Sequence, residues 1–390
     1  MDNISSLDIG EKIGFWLCII YALSANISPL ASTFSVYGSA LLIIYKLIKD
    51  DRARLRLPPS ITKAILAFFA VFAFTSVFST APLQSYNQLL QLATRFVPFF
   101  MPVLFLRTRK DLITVAVLLE ISIIIADIYS IWQKFHGICF PTGFDHNHIF
   151  FANQLQPMIL MGLVLLNDKK ISWRLKYFFS FAAFFSIAVL LLNGCRGVWL
   201  SIIICMLTIG FLLRKRHPRI LAMLLILILL SAMALWFVPF LHARLITITD
   251  THFEPNTERV LMLKSAWRMF LDHPLVGVGL DRWQYYYRHQ YVSPLAHEPG
   301  VDSPHNNFAM YLDETGIIGL SAFIGLFAAV LLSLYKDFKS RSDWFALIAF
   351  SVVLGFLLGG LTDHTFRMMN VIRLMWFCVG LGSVTLDTRT

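Results

Sequence analysis

The chain has 390 residues, of which 57% are hydrophobic and 14% charged, with a mean hydropathy of +0.68. A water-soluble domain is about 45–50% apolar and about 25% charged. Composition therefore excludes one, and apolar runs of about 20 residues recurring along the length indicate a polytopic membrane protein. The net charge of +10 falls largely in short connections between those runs. That makes it a topology signal and argues against a nucleic-acid partner.

Twelve helices are predicted, near 12–28, 31–48, 61–79, 92–107, 110–134, 148–167, 173–193, 197–213, 219–240, 306–335, 343–361 and 368–386. The fold class is thus all-α, with about twelve transmembrane helices. The first run follows an acidic-polar start without a small-residue cleavage site, and reads as a span. Residues 82–91 mix leucines with glutamines and are too polar to span. They read as a short interfacial helix leading into the fourth span.

Orientation comes from the connections. Lys46, Lys49, Arg52, Arg54 and Arg56 follow the core of the second span, and Arg107, Arg109 and Lys110 the fourth. Lys169, Lys170, Arg174 and Lys176 follow the sixth, and Arg214, Lys215, Arg216 and Arg219 the eighth. Lys336, Lys339 and Arg341 follow the tenth. All fall on one side, which the positive-inside rule makes cytoplasmic, with both termini.

The opposite side carries one long connection, 241–305. A connection of this length is uncommon unless functional. Within it, residues 257–271 have apolar residues at helical spacing, and Asp272-His273-Pro274 ends the helix. A turn at Gly277-Val278-Gly279 follows, then an aromatic and basic patch of Arg282, Trp283, Tyr285, Tyr286, Tyr287, Arg288 and Tyr291. The chain divides into residues 1–240 with nine spans, the segment 241–305, and residues 306–390 with three spans.

The chemistry-bearing candidates map to the outer face. His305 closes the long segment; its imidazole is either a proton acceptor near neutral pH or a helix-capping group. Arg196, in the short turn Asn193-Gly194-Cys195-Arg196, is either a bidentate phosphate contact or an interfacial arginine that snorkels. Arg259 and Arg268 share the segment's helix, and one of them could face the membrane site. Arg282, Arg288, Trp283 and Tyr287 could bind sugar or phosphate, or form an interfacial aromatic belt. Asn306 adjoins the histidine, and Arg95 begins the fourth span. Asp363, His364 and Arg367 could support the site from the last connection.

No metal is expected. None of the five cysteines stands in a CxxC or zinc-like spacing, and Asp145-His146-Asn147-His148 matches no strong metal motif. Cys139 and Cys195 fall near one face and could pair. No P-loop, GxSxG or HExxH is present, so no cofactor or ATP coupling is expected. Glu120 and Asp127, in the fifth span, read as pairing partners within the bundle rather than as a proton relay.

His305-Asn306, nine residues, then Gly316-x-x-Gly319 fits H-[NSQ]-x9-G-x-x-[GTY]. Together with Glu258-Arg259, Trp267 and Pro274-Leu275-Val276-Gly277-Val278-Gly279, it resembles the bacterial O-antigen ligases, which are related to O-antigen polymerases. The resemblance implies a GT-C-type glycosyltransferase, metal-independent and inverting. It implies a multi-pass protein of the bacterial inner membrane, working at the periplasmic face. The donor would be a polysaccharide on undecaprenyl pyrophosphate and the acceptor lipid A–core. Carried over by motif, His305, Arg196 and Arg259 would be catalytic, with Arg268 the alternative to Arg259. The motif does not separate a ligase from a polymerase using two polyprenyl-linked donors. A transporter of lipid-linked glycans would instead place its polar groups near the bilayer midplane.

Overall fold

The computed structural model describes residues 9–49, 57–215, 217–250 and 252–386. Arg52, Arg54, Arg56 and Arg216 of the basic connections lie outside the described residues. The elements in order are α1 (Ile9–Ser24), α2 (Pro29–Ile48), α3 (Pro59–Val77), α4 (Pro82–Phe105), α5 (Arg109–Phe135), α6 (His148–Leu165), α7 (Trp173–Asn193) and α8 (Arg196–Leu213). Then come α9 (Pro218–Phe237), α10 (Pro239–Ile246), α11 (Glu254–Asp272), α12 (Trp283–Tyr286), α13 (Asn307–Arg341), α14 (Trp344–Gly359) and α15 (Met369–Gly382). A single π-turn, Tyr287–Tyr291, follows α12. No strand occurs among the described residues.

Local chemistry sets the helix starts. Proline occupies the first turn of α2, α3, α4, α9, α10 and α11, where its missing N–H costs nothing. Ser28 caps α2 and Thr108 forms a capping box with Asp111 at α5. Asn306 caps α13, its Oδ1 accepting from the N–H groups of Phe308 and Ala309 at 2.9 Å each.

Among the described residues, nine helices are long and apolar enough to cross a membrane, α2 to α9 and α13. The chain is a multi-pass membrane protein. Three expected spans fall short of that length: α1 and α14 have 16 residues and α15 has 14. At 1.5 Å per residue, 16 residues reach about 24 Å, less than the roughly 30 Å hydrocarbon core. The polar stretch 82–91 is not a separate helix. It is the first part of α4, whose apolar half continues past Pro98 and Pro102.

Helix packing centres on Phe366, which is fully buried in the connection between α14 and α15. Rings of Phe68, Phe96, Tyr311, Phe323, Phe327 and Phe356 surround it at 5.3–6.2 Å, mostly edge to face. Lipid is as apolar as these rings, so close van der Waals contact, not escape from water, rewards this packing. It fixes the α14–α15 connection, residues 360–368, against α3, α4 and α13.

The long segment has its own small core. Met262, Ala266 and Met269 of α11 close on Val278, Trp283, Tyr286, Tyr287 and Tyr291. The segment is also fastened to α13 at a break in that helix. Gly316 has φ 64° and ψ −168°, which ends the first part of α13 and starts the second. Residues 274–279 lie in the break. Val278 N donates to Asp313 O at 2.9 Å, Gly279 N to Glu314 O at 2.8 Å, and Ile317 N to Pro274 O at 2.9 Å. The backbone groups freed by the break are thereby satisfied. A Cβ at Gly316 would stand 2.3 Å from the Leu275 carbonyl carbon. The histidine–glycine motif therefore marks a helix break that receives the segment, not a smooth face for close helix packing.

Candidate active site

The His305-Asn306-Asn307 stretch is stitched to the 360–368 connection. Asn307 N donates to Gly360 O at 2.8 Å, and Asn306 Nδ2 to Leu361 O at 2.9 Å. Asn307 Nδ2 donates to Thr365 Oγ1 at 2.7 Å, and Asn307 Oδ1 accepts from Phe366 N at 3.2 Å. His305 itself adopts φ 49°, a left-handed conformation that a residue with a Cβ holds only when its surroundings impose it. Here the two asparagines impose it, and the imidazole is directed at Asp363.

Asp363 is the hub. Its Oδ1 lies 3.1 Å from His305 Nδ1 and 3.4 Å from His364 Nδ1, and its Oδ2 lies 3.8 Å from the Arg259 guanidinium. Burial alone would raise the Asp363 pKa. The His305 hydrogen bond and the charges of His305, His364 and Arg259 outweigh burial, so it lies below the ordinary carboxylate range. An ionised carboxylate only accepts, so in the neutral ring Nδ1 of His305 is the donor. Nε2 then keeps its lone pair, free to take a proton. Burial lowers the His364 pKa against the attraction of Asp363. Ser303 Oγ lies 2.7 Å from His364 Nδ1.

A cavity of about 340 Å³ opens beside this hub, within the usual range for small-molecule sites. Arg196, Arg244, Arg259 and Asp363 line it, with Val198, Trp199, Leu235 and Ile248 among its apolar walls. Gly194, at φ 76°, ends α7 and turns the chain so that Arg196 begins α8. Arg196 Nη1 donates to Thr247 O at 2.5 Å and Thr247 Oγ1 at 2.8 Å, and Nη2 to Asn256 Oδ1 at 3.2 Å. Arg244 donates to Gly194 O at 3.3 Å and lies over Phe140 at 4.5 Å. Burial lowers the Arg244 pKa. Three guanidinium groups thus share one cavity with a single carboxylate, and the partners of Arg196 and Arg244 are neutral. Such an arrangement is suited to an anion with several oxygens.

The other sequence candidates scatter. Arg268 lies on α11 in a different, shallow groove with Val260, Leu263 and Trp267, away from Asp363. Arg282 donates to Gln84 Oε1 at 2.9 Å and stacks over Tyr285, tying the segment to α4. Arg288 is exposed. Trp283 and Tyr287 are each 0% exposed and stack on one another at 5.0 Å. They are core residues of the segment and present no face to a sugar. Asn306 has its side chain committed to the α13 cap and Leu361 O. Arg95 donates to Phe366 O at 2.7 Å and does not line the cavity.

Arg244 was not singled out from the sequence, because nothing in Leu241–Leu245 marks it; only the fold of α10 against the 193–196 turn does. Arg367 was read only as a possible support. It bonds Glu314 Oε1 at 2.7 Å and Asp302 O at 2.7 Å, and stands 3.4 Å from Asp281. Burial would lower its pKa, but Glu314, Asp281 and Asp302 raise it. It clamps the 360–368 connection to α13 and to both ends of the 281–302 stretch. The five cysteines are unpaired, Cys139 exposed and Cys195 buried.

His305, Asp363 and His364 offer ligand atoms all within 4.8 Å of one another, a set that could hold a metal ion. Competing interactions already engage these atoms. Asp363 Oδ1 accepts from His305, Oδ2 faces a guanidinium, and His364 Nδ1 is bonded to Ser303. The neighbouring Arg259 charge also opposes a divalent cation.

Residues 181–324 match the family model described as O-Antigen ligase. The match runs from α7 into α13 and takes in Arg196, Arg244, Arg259, His305 and Gly316. Asp363 and His364 lie beyond it. No curated protein matches the chain.

Proposed function

We propose that this chain, whose residues 181–324 match the O-antigen ligase family model, is an inverting ligase that transfers O-polysaccharide from undecaprenyl pyrophosphate to lipid A–core. It does so at the periplasmic face of the inner membrane, with its termini in the cytoplasm. The observation that carries this reading is Asp363. It faces His305 with one oxygen and Arg259 with the other, and it lines the cavity shared by three arginines. One carboxylate thereby joins a proton acceptor to a pyrophosphate-binding wall.

In this reading the donor pyrophosphate lies along Arg196, Arg244 and Arg259, and the polyprenyl chain follows the apolar wall. The acceptor hydroxyl gives its proton to His305 Nε2 as its oxygen attacks the anomeric carbon from the face opposite the pyrophosphate. The bond from that carbon to the phosphate oxygen breaks, and undecaprenyl pyrophosphate leaves with the electron pair. Asp363 holds the imidazolium that forms. The guanidinium groups stabilise the charge growing on the leaving group, the task a divalent ion performs in other enzymes. No metal is needed.

The deciding experiment uses purified full chain and a polyprenyl-pyrophosphate glycan. One arm offers lipid A–core as acceptor, the other a second polyprenyl-linked unit. Product on lipid A–core alone supports a ligase; product on the second unit alone makes the protein a polymerase. His305→Ala is expected to insert normally and transfer nothing, and transfer at the wild-type rate refutes the role given to His305. Activity is expected to survive a chelator. Loss that a divalent ion restores overturns the metal-free reading.

A further inference from the structure

Two buried arginines take no part in the chemistry above. Arg373, the fifth residue of α15, is 1% exposed, among the largest fully buried side chains of the protein. Its Nη1 donates to Thr33 Oγ1 at 2.9 Å. Its Nε and Nη2 are buried and have no hydrogen-bond partner. Nε–H and Nη2–H form the side edge of the guanidinium, whose two parallel donors match two oxygens of a phosphate. Among the described residues, no carboxylate pairs with Arg373. Glu314 of α13 and Asp281 of the long segment are engaged by Arg367 instead.

Arg95 adds a second cation. It lies on α4, which packs along α15, and its charge and that of Arg373 repel one another. Its Nη1 is used by Phe366 O, while its Nε is buried without a partner. Two guanidinium groups without an ion-pair partner among the described residues are unfavourable inside a membrane bundle unless something anionic meets them. The site is near the outer surface. Arg373 is one helical turn below the 360–368 connection, and Thr33 is one turn below the start of α2, whose other end carries Lys46 and Lys49. Tyr37 of α2 covers Arg373, its ring centre 6.0 Å from the guanidinium carbon and its hydroxyl close enough to interact with the guanidinium. Tyr37 is itself 48% exposed on the lipid-facing side. Rotation of an exposed side chain is fast, and rotation of this one opens the free edge of Arg373 sideways to lipid.

We propose that Arg373, with Arg95, is a second lipid-phosphate site, reached from the bilayer past Tyr37 and separate from the Arg196–Arg244–Arg259 cavity. A transferase joining two lipid-linked molecules has a phosphate on each. If the donor occupies the first cavity, as in the reading above on which this assignment of the ligand rests, the second site takes the phosphate of the acceptor lipid. A bulk anionic phospholipid offers the same chemistry.

The test is native mass spectrometry of the full chain in nonionic detergent, with undecaprenyl phosphate, phosphatidylglycerol and phosphate-free polyprenol as probes. Wild type is expected to hold two molecules of undecaprenyl phosphate and none of polyprenol at either site. Arg373→Met is expected to weaken one of the two by roughly tenfold or more, with Arg373→Lys in between. Unchanged binding of two molecules by Arg373→Met overturns the site. Should that variant fail to fold, Arg196→Met decides: it is expected to keep one phosphate-dependent molecule, and loss of all binding overturns the proposal. A drop in Arg373→Met with none in Arg196→Met retains this site and refutes the donor cavity instead. Either lipid source supports the site. Displacement of undecaprenyl phosphate by phosphatidylglycerol identifies bulk lipid as the occupant, and resistance identifies a site selective for a substrate-type lipid phosphate.

Discussion

His305 and Asp363 stand 58 residues apart in the chain and meet at 3.1 Å. The contact depends on two asparagines that tie the start of α13 to the connection before α15. The same carboxylate faces Arg259 with its second oxygen. Asp363→Asn removes the charge that orients His305 and stabilises its protonated form. The expected outcome is a fall in kcat of about 10²–10⁴-fold with little change in the donor KM, measured by glycan transfer. Asp363→Glu should recover part of it, since a carboxylate is restored at a longer reach. A purely structural role for Asp363 predicts loss of folded protein with both variants.

Arg244 is the group that the fold adds to the arginines expected from the sequence. Its loss removes one cation from the cavity wall. Arg244→Ala is expected to lower kcat/KM for the donor by about 10–100-fold, the equivalent of one charged hydrogen bond of about 1.5–3 kcal/mol. Arg268→Ala, on the far groove of α11, should stay within about twofold of wild type, because surface charges away from a site contribute little. Equal losses in both variants would place the donor outside this cavity.

Gly316 and Gly277 occupy the join between the long segment and broken α13. Both have positive φ, and a Cβ on either would meet backbone atoms at 2.3–2.4 Å. No rotamer change relieves a backbone clash. Gly316→Ala and Gly277→Ala are each expected to destabilise by at least about 2 kcal/mol, read as a lowered melting temperature, with activity falling too. Gly325, further along α13, has nothing within 4 Å of a built Cβ. Gly325→Ala should raise stability by about 0.5–1 kcal/mol, the helix-propensity gain.

Stability should fall with acid in two steps. The pKa of His364 is lowered in the fold, so the folded state favours its neutral ring. That contribution is complete above its unfolded value of about 6.5 and is lost as pH falls through the lower folded value. The pKa of Asp363 is also lowered, so its contribution is complete above about 3.9 and is lost as pH falls through the depressed value. The melting temperature in detergent is expected to hold steady above pH 7 and decline below about pH 6.5. A further decline should follow below about pH 4. His364→Gln should shrink the first step and leave the second in place. A single step that survives this substitution would assign the acid sensitivity elsewhere.

The sequence by itself determined the membrane class, nearly every helix, and the grouping of His305 with the turn arginine Arg196 and the helix arginine Arg259 as candidates. Apolar length, proline at helix starts and basic connections are local signals, and local signals survive in a one-dimensional string. It even marked Gly316 as part of a motif, though not as the break in α13. Tertiary structure decided the rest. Trp283 and Tyr287 read as a sugar platform until α11 closed over them, because an aromatic residue looks the same whether its neighbours bury it or not. Asp363 became the hub only once Asn306 and Asn307 drew its connection onto His305. Arg244 and Arg373 acquired meaning only from what surrounds them, one in a shared cavity and the other with a free donor edge. A charge carries no sign of its partners in the sequence; the fold supplies or withholds them.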